Sequence, residues 1–198
     1  MNRTAPQRAL AALLAAGLAL GVAGCSDESF ARDYGTGSQG YVAGDGSWQE
    51  FPAEQRGAAV AFSGETELGE TFDSASLAGR PAVVNFWYAA CPPCRAEAAD
   101  LETVSQTYRD EVPFIGVNIY DQAPTVVTFN ESHGVTYPSI LDIGKGTALS
   151  AFAATVPPQA IPSTVVLDRQ GRVAAVIRGP IEVSTLSAMI DRVLAEAA

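Results

Sequence analysis

A run of apolar, β-branched and aromatic residues, Ala82-Val83-Val84-Asn85-Phe86-Trp87-Tyr88, leads through Ala89 and Ala90 into Cys91-Pro92-Pro93-Cys94, and a stretch rich in Ala, Glu and Arg follows directly. With almost no polar alternation, the run reads as a central strand buried on both faces. From Pro92 to Tyr108, Ala98, Leu101, Val104, Ser105 and Tyr108 recur at three and four spacing, which predicts an amphipathic helix. The cysteines therefore stand where a buried strand hands over to a helix. There the Cys91 sulfur lies among unpaired backbone N–H groups at the positive end of the helix dipole, which favours the thiolate. Cys94, one turn on, is on the same side and within reach of a mixed disulfide formed by Cys91. Such a pair passes two electrons to or from another disulfide and needs no cofactor. Pro92 and Pro93 cost no internal hydrogen bond in a first turn, but they withdraw N–H donors from the sulfur. A less extreme acidity than in the strongest oxidants of this kind is expected.

Other uses of two cysteines three apart find little support. A zinc site needs about four ligands, and the chain has 3 Cys and 1 His, with no second Cys-x-x-Cys. Haem attachment needs a histidine directly after the second cysteine, where Arg95 stands. A static disulfide across so short a loop constrains the unfolded chain little. With 12 Lys+Arg against 22 Asp+Glu, the formal net charge is -10, which repels phosphate backbones and excludes nucleic acid as a natural partner.

Either side of this motif, strand and helix signals alternate. Ala58-Phe62 and Thr66-Phe72 suit a hairpin turning at Ser63-Gly64-Glu65. A strand is expected at 112–118, a helix at 125–133 led by Pro124, an extended piece at 137–141 and a short helix at 147–153. Two strands at 163–167 and 173–177, joined by a loop with Gly171, precede a closing helix at 182–196. This order gives an α/β fold, a central mixed sheet with helices on both faces.

The N-terminus reads differently. Arg3 and Arg8 precede an apolar run from Ala9 to Gly24, short of the roughly 20 residues that span a bilayer. A basic start followed by a short apolar core is the layout of an export signal. Its end, Val22-Ala23-Gly24-Cys25, resembles a bacterial lipobox, which implies cleavage before Cys25 and lipid attachment to its thiol. Residues 1–24 are therefore expected to be a lipoprotein signal peptide and 25–57, rich in Gly, Ser, Asp and Gln, a lipid-anchored flexible linker. Tyr34, Tyr41, Trp48 and Phe51 exceed what a spacer needs; docking of its last third on the domain and undirected stickiness are equally open. Residues 58–198 form the folded domain, in a compartment that permits disulfides.

The segment Asn85-Phe86-Trp87-Tyr88-Ala89-Ala90-Cys91-Pro92-Pro93-Cys94-Arg95-Ala96-Glu97 closely resembles the active-site segment of the membrane-tethered, thioredoxin-like reductases of the TlpA/ResA group. The similarity runs from about residue 58 to the C-terminus and includes Ile161-Pro162-Ser163-Thr164, an Asp-x-x-Gly turn and Gly179. It implies a three-layer thioredoxin-like fold with an N-terminal β-hairpin and an inserted strand and helix, the insertion lying roughly between residues 118 and 158. It implies that Cys91 and Cys94 are catalytic, that Pro162 is cis, and that Ile161, Pro162, Trp87, Pro92 and Pro93 line the groove where substrate backbone pairs. Thioredoxin has a buried Asp where Asn85 stands here, and Asn85 cannot act as a base. The group places a carboxylate after the next strand, which counting assigns to Asp121 as acceptor of the Cys94 proton; capping of the following helix is the other reading of that residue. Arg95 and Glu97 on the first turns of the helix are expected to be solvated, as is His133 before Gly134.

The function so implied is an extracytoplasmic thiol-disulfide oxidoreductase on the cell membrane that uses no cofactor beyond the Cys91/Cys94 disulfide. By resemblance, its client is a protein disulfide such as that of apocytochrome c, and an integral-membrane thiol-disulfide carrier supplies the electrons. A disulfide-forming oxidase is the nearest rival. A redoxin-type peroxidase is disfavoured because Tyr88 stands where a peroxidatic site has Thr. A non-catalytic surface binding module is the third.

Overall fold

The computed structural model describes residues 47–157 and 160–196. The expected signal peptide, Cys25 as the expected site of lipid attachment, and the first part of the expected linker lie outside them. Strand β4 (Ala82–Trp87) is buried along its whole length because it is paired on both sides. β5 (Phe114–Asn118) runs parallel to it, with Asn85 opposite Gly116 and Trp87 opposite Asn118. On its other side β7 (Ser163–Leu167) runs antiparallel, with Phe86 opposite Ser163. β6 (Ser139–Leu141) extends the parallel edge, and β8 (Val173–Arg178) pairs antiparallel with β7. With β1 (Trp48–Glu50) the order is β1-β8-β7-β4-β5-β6, one mixed sheet of six strands.

Two apolar layers cover it. Leu101 and Val104 of α1 (Pro92–Tyr108) pack with Leu186, Met189 and Ile190 of α4 (Val183–Leu194) against Val83 and Ile177 on one face. On the other face Val84 and Phe86 meet Phe129 of α2 (Ala123–His133), Ala148 of α3 (Thr147–Ala151) and Phe152. Helices thus lie on both sides of a mixed sheet, as the alternation of strands and helices predicted.

The structure corrects one expectation and decides one open choice. The hairpin pairs β2 (Ser63–Glu65) with β3 (Thr71–Asp73), so 63–65 is a strand and the turn lies beyond it. Gly69, at φ 77°, supplies the left-handed backbone of that turn, whereas Gly64 is needed for close approach: a Cβ there would sit 2.4 Å from Ile140 Cγ2 on β6. Thr66 bridges to Ile140, and Ser139 N–H donates to Glu67 Oε2 at 2.8 Å, fastening the hairpin to the sheet edge.

Residues 48–57, the last third of the expected linker, dock on the domain, one of the two outcomes left open for it. β1 adds to the free edge of β8, with Trp48 opposite Ile177 and Glu50 opposite Ala175. Arg56 then reaches into the domain, donating to Asp168 Oδ2 at 3.0 Å and to both carboxylate oxygens of Glu196 at 2.5 and 2.6 Å. Its side chain is 4% exposed. An open sheet edge and the buried Asp168 carboxylate, which also holds Arg172 at 2.8 Å, fix the segment on the domain.

Candidate active site

β4 delivers the chain to the end of the sheet and α1 begins one short loop later. Cys91 is the N-cap of α1: its N–H donates to Tyr88 O at 3.2 Å and its carbonyl accepts from Arg95 N–H at 3.1 Å. Cys91 and Cys94 are disulfide-bonded with 5.3 Å between their Cα atoms. The Cys94 N–H points at Cys91 Sγ at 3.2 Å. Pro92 and Pro93 occupy the first two helical positions, so Cys94 offers the first N–H of the helix to that sulfur. Both cysteines are buried, Cys91 at 0% and Cys94 at 3% exposure.

Asp121 braces the loop before the dithiol. Its Oδ2 accepts from Ala89 N–H at 2.6 Å and from Asn118 Nδ2 at 2.9 Å, while Asn118 Oδ1 accepts from the N–H groups of Tyr120 and Asp121. One oxygen of the carboxylate thus holds the loop. It does not cap α2, whose N-cap is Gln122 without a side-chain hydrogen bond.

The acid nearest in kind to a buried proton acceptor is Glu97, and this corrects the expectation that it is solvated. Glu97 is 2% exposed. Its Oε1 accepts from Asn85 Nδ2 at 3.1 Å and its Oε2 from Ile181 N–H at 2.9 Å. The second Asn85 hydrogen goes to Thr164 Oγ1 at 3.1 Å. Burial pushes the Glu97 carboxyl up to about 8, against the opposing pull of the Ile181 N–H and the Asn85 amide. The signal was in the helix stripe: Glu97 stands between Cys94 and Leu101 at three and four spacing, on the inward face.

Ile161-Pro162 is a cis peptide immediately before β7 and is buried. The Pro162 carbonyl accepts from Gly179 N–H at 2.8 Å. Trp87 is in the same core cluster as both cysteines, 4% exposed, with Nε1 donating to Ser139 Oγ at 3.2 Å and its ring 4.4 Å from that of Phe129. Its indole therefore faces inward and supports the site from below. The rings at the surface are the half-buried Tyr88 and Tyr120, the latter 70% exposed, with centroids 5.9 Å apart. Pro92 is exposed, Pro93 half-buried, and Arg95 exposed. His133 is half-buried, its ring stacked on Phe129 at 4.0 Å and its Nδ1 3.0 Å from Phe129 O. Among the described residues no three His, Cys, Asp or Glu side chains gather as a metal site, and no helix is long and apolar enough to cross a membrane.

The sequence profile of the Redoxin family matches residues 52–190. The thiol-disulfide oxidoreductase ResA of Halalkalibacterium halodurans is 29% identical over 122 residues, 61% of this chain and 66% of that protein. The chain thus spans a little under two thirds of that relative's length. Among solved structures, a secreted thiol-disulfide isomerase from Corynebacterium glutamicum superposes with a TM-score of 0.70 at 25% identity, covering 79% of this chain and 97% of the other. A DsbF homologue from Corynebacterium diphtheriae does so at 0.66 and 28% identity, over 77% and 96%.

Proposed function

The chain belongs to the redoxin family, and we propose that it is a membrane-tethered thiol-disulfide oxidoreductase that reduces protein disulfides outside the cytoplasm. The observation that carries this is a buried Cys91–Cys94 disulfide at a helix mouth, one turn from a buried carboxyl pushed up to about 8.

In the reducing direction the Cys91 thiolate attacks one sulfur of a client disulfide, whose other sulfur leaves as a thiolate and takes up a proton. Cys94 gives up its proton and attacks Cys91 Sγ. The second client sulfur leaves, and the chain holds the Cys91–Cys94 bond while two electrons rest on the client dithiol. In its ionised form Glu97 is the acceptor for the Cys94 proton: an ordinary thiol titrates at about 8.5, so transfer to a carboxylate whose acid titrates near 8 is almost level in free energy. Asp121 keeps the loop at Ala89 in place. The backbone at Ile161 and Pro162 pairs with the client chain, Pro92 and Pro93 form the approach surface, and Trp87 backs it.

The two prolines also favour reduction as the working direction. A thiolate stabilised by fewer N–H groups makes the reduced form less favourable and the dithiol a stronger reductant. In the whole protein residues 1–24 serve as export signal, Cys25 carries the lipid and the tether extends to the domain that begins at β1. The client class includes apocytochrome c, and an integral-membrane thiol-disulfide carrier returns the protein to the dithiol. Two measurements test this. Equilibration with glutathione should place the couple well below the glutathione potential; a value well above it makes the protein an oxidant. Cys94→Ala should accumulate mixed disulfides through Cys91 in the native envelope, and their complete absence would leave only a binding role.

A further inference from the structure

Behind the resolving sulfur lies a buried acceptor with no donor. Asn130, on α2, donates from Nδ2 to Glu67 Oε1 at 3.0 Å. A carboxylate can only accept, so this bond fixes which end of the amide is which. The carbonyl end, Oδ1, is thereby turned away from Glu67; it is buried and has no hydrogen-bond partner. A buried amide oxygen left so is unfavourable unless something donates to it.

Asn130 shares a small cavity with Asn85, Trp87, Cys94 and Tyr137, with apolar side chains completing the wall. The space open to the centre of a water there is about 10 Å³, roughly one water's worth at the lower limit for occupancy. The N–H donors of Trp87 and Asn85 beside it are already spent. Trp87 Nε1 is given to Ser139 Oγ, and both Asn85 hydrogens go to Glu97 and Thr164. When the Cys91–Cys94 bond opens, a Cys94 thiolate facing this cavity has none of them to draw on.

We propose that one water molecule binds in this cavity, held by Asn130 Oδ1, and that its second hydrogen is donated to Cys94 Sγ in the dithiol and mixed-disulfide states. A hydrogen bond to the charged form favours that form. The water raises the fraction of Cys94 present as thiolate at neutral pH and so speeds its attack on a mixed disulfide at Cys91. Asn130 is a positioning residue, acting through the water, and Glu67 acts through Asn130. The charged and titratable groups on the elements packed around Cys94 are Arg95 and Glu97 on α1, Glu67 beside the hairpin, Asp121 after β5, His133 on α2 and Tyr137 before β6. Asn130 Oδ1, buried and without a hydrogen-bond partner, is the acceptor that orients the donor.

The inference rests on the reading of Cys94 as the resolving cysteine, and the test separates the two. Reduced full-length protein is mixed with 5,5′-dithiobis(2-nitrobenzoate) in a stopped-flow instrument from pH 5 to 9. The first thionitrobenzoate reports attack by Cys91, the second reports attack by Cys94 on the mixed disulfide. Asn130→Leu should move the pH midpoint of the second phase upward by about one unit and slow it about tenfold at pH 7, leaving the first phase in place. Asn130→Ser, whose hydroxyl can hold the same water, should recover most of the rate. An unchanged second-phase profile in folded Asn130→Leu overturns the water. Absence of any second phase in the unsubstituted protein overturns the resolving role of Cys94 instead. An atomic-resolution structure of the unsubstituted reduced protein gives an independent check, since the cavity must then show a water within hydrogen-bond distance of Asn130 Oδ1 and Cys94 Sγ, and its absence refutes the proposal.

Discussion

At the scale of single residues, Glu97 is the group on which the chemistry and the stability meet. Its carboxyl titrates near 8 in the folded chain and near the ordinary value of about 4.3 when unfolded. Below about pH 4 both states hold the proton. As pH rises towards 8 the unfolded state releases it and the folded state keeps it, so stability falls across that window and levels off above it. Glu97→Gln removes the penalty. The variant should match the parent near pH 4 and exceed it at pH 9 by up to about 5 kcal/mol in urea unfolding; equal stability of the two proteins at pH 9 would show that Glu97 carries no such penalty. The same variant lacks the proton acceptor, so release of a client mixed disulfide by Cys94 should slow by about 10²-fold at neutral pH while the initial attack by Cys91 persists.

At the scale of elements, the close approach of β5 to β6 and to the Trp87 side chain positions the floor of the site. Gly116 on β5 allows it: a Cβ there would fall 2.1 Å from Ser139 Oγ and 2.8 Å from Trp87 Nε1, two atoms hydrogen-bonded to each other at 3.2 Å. Gly116→Ala should therefore cost about 1–3 kcal/mol and change the near-ultraviolet signal of Trp87. Gly57→Ala, where a Cβ would meet nothing within 4 Å, should stay within about 0.5 kcal/mol of the parent. Equal effects of the two substitutions would mean that the packing beneath Trp87 is not under constraint. The hairpin teaches the same lesson in reverse. Glycine usually punctuates a chain, yet Gly64 lies in a strand against Ile140; whether a glycine supplies a positive φ or merely room depends on what lies across from it.

At the scale of the whole molecule, the chain before the domain's first predicted strand is part of the folded body. Arg56 couples it to Asp168 at 3.0 Å and Glu196 at 2.5 Å, and Arg192 holds Glu50 at 2.6 Å. Burial by itself would raise the Asp168 carboxyl, but the Arg172 N–H and the Arg56 and Arg172 side chains together hold it below its usual value. This contributes stability present above about pH 4 and lost as pH falls further. A chain beginning at residue 58 should be less stable than one beginning at residue 47 by about 3 kcal/mol, because Asp168 stays buried without its Arg56 partner, and the gap should narrow in acid. Equal urea midpoints for the two would mean that the segment is only laid against the domain. What the sequence determined was local. An unbroken apolar run makes a central strand, two prolines and a three-four stripe start a helix, and a Cys-x-x-Cys at their junction presents a dithiol to that helix end. Those are matters of neighbouring residues and period. What only the tertiary structure decided was pairing across distance: β1 on the edge of β8, Arg56 on Asp168, Glu97 turned inward onto Asn85, one oxygen of Asp121 on Ala89. Whether a charged side chain is solvated or buried depends on which partners the fold brings to it, and those partners lie up to 142 residues away in the chain.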